Sequence, residues 1–243
     1  AILGYADRAL ARGEDLAALR KALDTTQRSA RHLLQIVNDV LDAAQLDAGQ
    51  LHIAASEADA VAVSADVIDL LGPVAEAKQL YLRLHILWPL PRLVQADPLR
   101  LKQVLVNLVG NALKFTEQGG VELEIGADAG RQRLWIAVSD SGIGMSLEQQ
   151  QRLFQPFMQG DASHSRRFGG TGLGLYISAE LMRRMGGSIA VEHSTPAGSR
   201  LRIEMPIRAD LAWISEPQSA LPAGPPQRPS ARYQGRVLLA EDD

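Results

Sequence analysis

The sequence has 243 residues, of which 46% are hydrophobic and 22% are charged, and its formal net charge is −3. This length allows one large domain or two smaller ones, and the charge balance gives no indication of a nucleic-acid-binding surface. The absence of cysteine excludes disulfide scaffolds, thiolate zinc sites and cysteine nucleophiles, and it fits a reducing compartment.

Residues 1–48 have the pattern of two helices with a break at Arg12-Gly13. Apolar or small residues recur along the second helix in alternating steps of three and four: Leu16, Leu19, Leu23, Thr26, Ala30, Leu33, Val37, Val40 and Ala44. This spacing is a heptad seam, and a helical hairpin alone buries too little surface to be stable. We therefore expect a dimeric four-helix bundle, with packing of the seam on the rest of the chain as the alternative.

The pattern changes after Leu51 to a mixture of helices and strands that continues to Ile207. Helices are predicted over 61–78, 98–113, 147–154 and 173–185. Strands are predicted over 80–87, 121–126, 134–139, 188–193 and 199–207. Asp97 before Pro98 is a strong start signal for the second of these helices. Strand hairpins with helices on one face predict a two-layer α+β sandwich.

The C-terminal part of the sequence divides into a linker and a short strand. Residues 208–234 are rich in proline, serine, glutamine and alanine, a composition typical of a semi-extended linker without a core. Arg236–Ala240 is strand-like and leads into the acidic run Glu241–Asp243. Because the sequence starts at Ala1 without methionine and stops directly after this strand, we expect it to be part of a longer protein.

Two asparagines and a lysine lie near the end of the helix predicted from Pro98. Asn107 and Asn111 are four positions apart and share a face, which Lys114 adjoins. Amide oxygens and an ammonium group suit a Mg²⁺ ion and a polyphosphate, and a solvated helix face is the alternative. Because the rest of this helix is apolar, two asparagines on it require a reason.

Asp140, Gly142 and Gly144 follow the strand predicted over 134–139. An ionised carboxylate only accepts hydrogen bonds, so Asp140 suits the exocyclic amino group of adenine. The two glycines allow the backbone to lie close to a base. An ordinary Asp-Ser-Gly turn is the alternative, and this motif in isolation favours the turn.

A glycine-rich segment runs directly into the helix predicted over 173–185. Its residues are Phe168, Gly169, Gly170, Thr171, Gly172, Leu173, Gly174 and Leu175. Bare N–H groups and the positive end of a helix dipole bind phosphate, so the segment favours nucleotide binding over a flexible hinge. Its spacing matches neither the dinucleotide-binding fingerprint nor the Walker A loop.

The polar segment 160–167 lies between these two glycine motifs and carries Arg166 and Arg167. Its composition predicts a mobile lid whose two cations suit phosphate charge. We expect Phe154 and Phe157 to anchor the base of this lid by packing.

The order of these motifs resembles that in the ATPase domain of sensor histidine kinases. In that family the asparagine-bearing helix is called the N-box, and it is followed by DxGxG, FxPF and GGxGLGL motifs. The segment 97–116 is similar to the DxRLxQVLxNLxxNAxKFT form of that family. The helical hairpin resembles the second half of a dimerisation and phosphotransfer domain, and residues 235–243 resemble the first strand and acidic pair of a receiver domain. The resemblance covers essentially the whole chain and implies the hybrid type of kinase.

The resemblance also implies a fold and a division into domains. The expected fold is α+β, with an N-terminal helical hairpin in a dimeric four-helix bundle followed by a two-layer sandwich of the Bergerat type. The expected segments are a partial dimerisation hairpin over 1–49, a catalytic ATP-binding domain over 50–207, a linker over 208–234 and the first receiver strand over 235–243.

The family's site residues carry over to matching positions of this sequence. Asn111 is expected to be the main Mg²⁺ ligand with Asn107 assisting, while Lys114 faces the phosphates and Phe115 covers the adenine. Asp140 is expected to bind the adenine amino group, in a pocket that glycines shape. Those glycines and the residues expected to lie along the phosphates are Gly142, Gly144, Arg166, Arg167, Gly170, Thr171, Gly172, Leu173 and Gly174.

The implied reaction transfers the γ-phosphoryl group of ATP to a histidine and then to an aspartate. In this family the acceptor histidine lies in a motif called the H-box, where an acidic residue and Thr-Pro follow it. None of the five histidines of this sequence stands in such a motif: His32, His52, His85, His164 and His193. The resemblance places the acceptor histidine before Ala1 and the acceptor aspartate beyond Asp243. We therefore expect ATP and Mg²⁺ binding without autophosphorylation by this segment.

The resemblance further implies partners and a location. The expected partners are a second copy of the chain, a receiver domain, and a histidine phosphotransfer or response-regulator protein. No apolar run in the sequence is long enough to span a bilayer. We expect a cytoplasmic location, with the full-length protein anchored at the cytoplasmic side of a membrane.

Two other functions are alternatives to this assignment. An ATP hydrolase of the same superfold places a glutamate at the position of Asn107, and an asparagine cannot serve as the general base for water. A degenerate kinase could instead act as a binding module for another histidine kinase. Nucleotide titration separates that module from an active kinase.

Overall fold

The structure, a computed structural model, describes residues 16–54, 56–158, 172–207 and 212–215. The helices in this part of the chain are α1 Leu16–Asp47, α2 Ala60–Ala77, α3 Pro98–Phe115, α4 Leu147–Arg152 and α5 Gly174–Arg184. The strands are β1 Glu57–Ala58, β2 Tyr81–Ile86, β3 Leu90–Pro91, β4 Val94–Gln95, β5 Gly120–Asp128, β6 Arg133–Asp140, β7 Ser188–Thr195, β8 Gly198–Pro206 and β9 Trp213–Ile214. None of these described helices combines the length and apolarity needed to cross a membrane.

The main sheet has five strands in the order β2-β5-β6-β8-β7. Strand β2 runs parallel to β5, and the other neighbours run antiparallel. The pairs β5–β6 and β7–β8 are the two hairpins predicted from the sequence. The parallel pair needs a long crossover, and α3 lies within that connection.

The core lies between the sheet and helices α2, α3 and α5. Large side chains from both layers are fully buried there: Leu101, Leu105, Leu113, Leu123, Ile125, Leu134, Ile136, Leu181, Met182, Ile203 and Met205. Apolar residues repeat with a helical period in α3 and with period two in the strands, so each element buries one face. This arrangement confirms the predicted two-layer α+β sandwich.

Helix α3 begins as the sequence predicts and ends two residues later than predicted. The Asp97 carboxylate accepts hydrogen bonds from the backbone N–H groups of Leu99 and Arg100, at 3.0 and 3.1 Å. Its other oxygen accepts the N–H of Ala54 at 3.0 Å. The cap therefore fixes the start of α3 and also holds the chain that leads into the sandwich.

Helix α1 confirms the second predicted helix, and its seam is largely uncovered. Leu23, Leu33, Val37 and Val40 are 57%, 53%, 47% and 51% exposed. At these four positions the seam is therefore not packed on the rest of this chain, which was the alternative to a dimer. The first predicted helix and the break before Leu16 lie outside the described residues.

The end of α1 is joined to the sandwich by polar contacts. Asp42 accepts a hydrogen bond from Gln103 at 2.7 Å and pairs with Arg100 at 3.4 Å. Arg184 donates to the carbonyl oxygens of Leu46 and Leu51 at 2.8 and 2.9 Å. These contacts connect α1 to the starts or ends of the two helices that carry the candidate site.

Part of the segment predicted as a linker pairs with the sandwich. Strand β9 lies antiparallel to β3, with Trp213 opposite Pro91 and Ile214 opposite Leu90. The N–H of Arg92 donates to the carbonyl oxygen of Ala212 at 2.8 Å. The rest of that segment and residues 235–243 lie outside the described residues.

Candidate nucleotide-binding site

The two asparagines of α3 are adjacent on one face, as their spacing predicts. Asn111 Nδ2 donates to Asn107 Oδ1 at 3.3 Å. Asn107 Nδ2 donates in turn to the hydroxyl of Ser178 on α5, at 2.9 Å. The asparagine face of α3 is therefore held against the first turns of α5.

Gly174 explains how closely the two helices approach. A Cβ at this position would lie 2.5 Å from Oδ1 and 3.1 Å from Cγ of Asn107. Any side chain here would push α5 away from the asparagine. The family resemblance implies that Gly174 lies along the phosphates, and the contact that the structure gives it is with Asn107.

Asp140 lies at the end of β6, beside the end of α3. Its Oδ1 accepts the N–H of Gly142 at 2.8 Å. Burial raises the pKa of Asp140, and backbone hydrogen bonds from Gly142 and Ser199 partly offset this rise. A Cβ at Gly142 would lie 2.6 Å from the carbonyl oxygen of Phe115, so the turn and the end of α3 form one surface.

Gly144 brings the same turn against the β7–β8 hairpin. Its φ of +66° lies in the left-handed region that favours glycine. A Cβ there would collide with the carbonyl group of Thr195. The next N–H, of Met145, donates to Ser194 Oγ at 2.7 Å. Gly142 therefore allows the turn to lie against the end of α3, and Gly144 allows it to lie against the β7–β8 hairpin.

Lys114 supplies a positive charge at this end of α3. Its Nζ lies 5.0 Å from the centroid of the Phe115 ring. The side chain is half-buried, and burial lowers the pKa of Lys114. Together the two side chains suit both parts of a nucleotide: the ammonium group can bind phosphate and the aromatic ring can pack on the base.

The entrance to α5 is fixed by two residues of the glycine-rich segment. Gly172 has a φ of +71°, and a Cβ there would lie 2.9 Å from the carbonyl oxygen of Met158. Leu173 is only 2% exposed and anchors the start of α5 in the core. Arg166, Arg167, Gly170 and Thr171 belong to residues 159–171, which the structure does not describe.

The expectation that Phe157 anchors the lid by packing is wrong. The side chain is 72% exposed, and the backbone φ is +62°. An apolar side chain held outward in this way contributes little to the core.

The donor set in the described residues fits a hard cation bound together with phosphate. No group of three or more His, Cys, Asp or Glu side chains in the described ranges could hold a metal ion. The amide groups of Asn107 and Asn111 are oxygen donors of the kind that Mg²⁺ accepts when phosphate oxygens and water complete its shell. A Mg²⁺ ion here would therefore depend on the nucleotide.

Comparison with known proteins agrees with this arrangement. Residues 96–209 match the family of histidine kinase-, DNA gyrase B- and HSP90-like ATPases. The chain is 44% identical over 180 residues to the signal transduction histidine-protein kinase BarA of Escherichia coli, covering 73% of this chain and 20% of that protein. It is 38% identical over 246 residues to the sensory/regulatory protein RpfC of Xanthomonas campestris, covering 92% of this chain and 34% of that protein.

A solved structure shares both the fold and a clear sequence similarity. The crystal structure of full-length ShkA in complex with AMPPNP superposes with a TM-score of 0.69 at 33% identity, covering 87% of this chain and 42% of that one. The sandwich is thus of the Bergerat type, and its family implies nucleotide binding. The chain spans only 20% to 34% of the length of BarA and RpfC. Residues 96–209 therefore form an ATPase domain of the histidine kinase-, DNA gyrase B- and HSP90-like family, of the kind that sensor histidine kinases carry.

Proposed function

We propose that this chain is the catalytic core of a hybrid sensor histidine kinase, which binds Mg·ATP and transfers the γ-phosphoryl group to a histidine for relay to an aspartate. The observation that carries this proposal is the convergence of three motifs from distant parts of the sequence. The start of α5 contacts the Asn107–Asn111 face in the second half of α3, and the Asp140 turn lies against the end of the same helix. The AMPPNP complex of the similar protein ShkA supports a nucleotide at such a site.

The chemistry of each side chain supports a specific role. Asn111 offers an amide oxygen as the main Mg²⁺ ligand, and Asn107 assists it. Lys114 places a cation for the phosphates, and Phe115 covers the adenine. Asp140 accepts from the adenine amino group. When bound, Mg²⁺ would neutralise phosphate charge, and the protein would contribute mainly orientation.

The lid and its flanks complete the proposed phosphate contacts. Arg166 and Arg167 would supply positive charge, and backbone N–H groups at the glycine-rich entrance to α5 would donate to phosphate oxygens. The residues proposed to line the phosphates there are Gly170, Thr171, Gly172, Leu173 and Gly174.

Asn107 favours phosphoryl transfer to a side chain over hydrolysis. An amide cannot take a proton from water at neutral pH. Both polar ends of this amide are also engaged, by Ser178 and by Asn111. A general base for water would have to come from elsewhere, so a kinase is the better assignment.

The proposed partners follow from the uncovered seam of α1 and from the resemblance. A second copy of this chain would cover Leu23, Leu33, Val37 and Val40 in a four-helix bundle. We further propose the division into a hairpin over 1–49, a catalytic domain over 50–207, a linker over 208–234 and a receiver strand from 235. The phosphoryl group would then pass to a receiver domain or to a phosphotransfer or response-regulator protein.

Calorimetric titration with Mg·AMPPNP tests the nucleotide site directly. We expect the parent chain to bind it in a Mg²⁺-dependent manner, and Asn111→Asp to bind it more weakly because a new charge faces the phosphates. The matched control is Gln118→Glu, which adds the same charge on the exposed turn beyond α3. A parent chain that does not bind would contradict the kinase assignment and favour a degenerate binding module.

Phosphoryl transfer needs a separate experiment because the proposed acceptor lies outside this sequence. Incubation with γ-labelled ATP should leave the chain itself unlabelled. A longer version of the protein that includes the segment before Ala1 should become labelled on histidine, with the acid lability of a phosphoramidate. Labelling of the shorter chain would show that one of its own five histidines is the acceptor.

A further inference from the structure

Strand β7 carries a β-bulge close to its end. Val191 pairs with Leu201, and His193 pairs with the neighbouring residue Arg200, so Glu192 is an extra residue on this strand. Side chains alternate between the two faces of a sheet, and one extra residue reverses the face of every side chain that follows it. The bulge therefore turns over the end of β7 relative to its first half.

Because of the bulge, Ser194 lies on the face of the sheet that carries Asp140. Ser194 pairs with Ser199 on β8, and Ser199 pairs with Asp140 on β6, so the three residues form one row across three strands. Directly paired residues have side chains on the same face, and the hydroxyl oxygens of Ser194 and Ser199 are 2.8 Å apart. Without the extra residue, Ser194 would lie on the opposite face, where Glu192 pairs with Arg200 at 2.6 Å.

The Ser194 hydroxyl holds the far side of the turn that begins at Asp140. It accepts the backbone N–H of Met145 at 2.7 Å. An N–H group can only donate, so this contact does not depend on where the hydroxyl hydrogen of Ser194 points. Ser141 holds the near side, where its hydroxyl accepts the N–H of Gly120 at 3.0 Å. The turn is thus attached to the sheet on both sides.

The tip of the β7–β8 hairpin also lies directly against this turn. A Cβ at Gly144 would collide with the carbonyl group of Thr195, and a Cβ at Gly198 would collide with the carbonyl group of Asp140. These two glycines allow the close approach of the hairpin, and the hydrogen bond to Ser194 attaches the turn to it.

We propose that Ser194 is a positioning residue for adenine recognition, which fixes the turn from Asp140 to Met145 so that the Asp140 carboxylate faces the amino group of the base. The bulge of β7 serves this role by aiming Ser194 at the turn, as bulges next to active sites re-aim side chains. This inference rests on the proposed function, because it assumes an adenine site at Asp140. It assigns to Ser194 no contact with the nucleotide itself.

Affinities for two nucleotides that differ in one group test this role. The first is AMPPNP, and the second is its purine riboside analogue, which lacks only the 6-amino group. We expect the parent to prefer AMPPNP at least about tenfold, because the analogue leaves Asp140 without a donor. Ser194→Ala should reduce this preference about three- to fivefold, through weaker binding of AMPPNP. A general loss of stability would weaken both nucleotides equally and leave the preference unchanged.

Ser146→Ala is the matched control. Ser146 directly follows Met145, and its hydroxyl also accepts a backbone N–H, that of Gln149 at 3.2 Å. This hydrogen bond caps α4 and does not join the turn to the sheet. The control should therefore leave the preference for AMPPNP unchanged. An unchanged preference in Ser194→Ala, or an equal reduction in both variants, would overturn the role of Ser194.

A double-mutant cycle tests whether Ser194 acts through Asp140. In an Asp140→Asn background, Ser194→Ala should leave the preference as it is in Asp140→Asn alone, because the carboxylate to be positioned is gone. A further change would overturn the role of Ser194. A parent chain that binds both nucleotides equally well would also overturn it, while leaving nucleotide binding intact. A parent chain that binds neither nucleotide would overturn the proposed function and this inference together.

Discussion

Lys78, which directly follows α2, donates a hydrogen bond to the carbonyl oxygen of Leu113 in the last turn of α3, at 2.5 Å. Its Nζ also lies 3.3 Å and 3.4 Å from the carbonyl oxygens of Lys114 and Thr116. Carbonyl groups at the end of a helix lack partners within the helix, and a cation there complements the helix dipole. Lys78 therefore supports the end of α3 that carries Asn111.

Replacing Lys78 by methionine keeps most of the stem and removes the charge and the donors. We expect the free energy of unfolding to fall by about 1 to 2 kcal/mol, because three carbonyl groups lose a charged partner. Urea denaturation measures this change. The control is Lys102→Met, since Lys102 also joins α2 and α3 but forms an exposed pair with Asp66, for which we expect less than about 0.5 kcal/mol. Equal losses would contradict the capping role.

Asp140→Asn should separate stability from adenine recognition. Burial raises the pKa of Asp140, so the folded state favours the protonated form, and the charged form reduces stability as pH rises through this pKa. The variant should therefore be at least as stable as the parent at pH 7, with a difference that shrinks in acid. Its affinity for adenine nucleotides should fall at least about tenfold. An asparagine whose oxygen accepts the Gly142 N–H would direct its NH₂ group toward the adenine amino group, so that two donors would face each other. Thermal unfolding from acid to neutral pH and calorimetry measure the two effects.

Lys114 should make nucleotide binding sensitive to alkaline pH. Burial lowers the pKa of this ammonium group, so its charge is lost at a lower pH than that of an ordinary lysine. The affinity of the parent for Mg·AMPPNP should therefore decrease as pH rises toward that pKa. Lys114→Arg should remove this decrease because arginine stays charged, and Lys114→Met should bind weakly at every pH. An alkaline decrease that persists in Lys114→Arg would assign it to another group.

The joint between α1 and the sandwich depends on Arg184 rather than on its neighbour. Both arginines pair with Glu180, but Arg184 is 19% exposed and also reaches two backbone carbonyl groups, whereas Arg183 is 70% exposed. Arg184→Ala should speed hydrogen exchange at the amides of Gly49 and Gln50, which close the end of α1, by about tenfold. Arg183→Ala is the control and should leave these amides unchanged.

Strand β9 should protect one particular amide of the domain. The N–H of Arg92 donates to Ala212, so deletion of residues 212–215 should expose it to exchange with solvent. Deletion of 219–222, which removes the same number of residues from the predicted linker, should leave that amide protected. Exchange followed by NMR measures both variants. Similar protection in the two deletions would show that β9 contributes nothing to this edge.

Much of the fold could be predicted because it depends on local or periodic signals. Asp97 and Pro98 mark the start of α3, and alternating apolar residues predict the two hairpins that the structure shows. Glycines at 142, 144 and 174 stand out by type, although the surfaces that exclude their side chains could not be named in advance. Strand β9 was not predicted because a two-residue strand has no period to detect.

The sequence by itself determined the order of the longer helices and strands, the seam of α1 and the residue types of a nucleotide site. These properties follow from backbone preference, periodic burial and side-chain chemistry, which act within short stretches of chain. The tertiary structure alone decided that Asn107 faces Ser178, that Lys78 supports the end of α3 and that Arg184 holds the end of α1. Each of these contacts joins residues far apart in the sequence, where a single serine, lysine or arginine on a helix carries no mark of its partner until packing brings the two together.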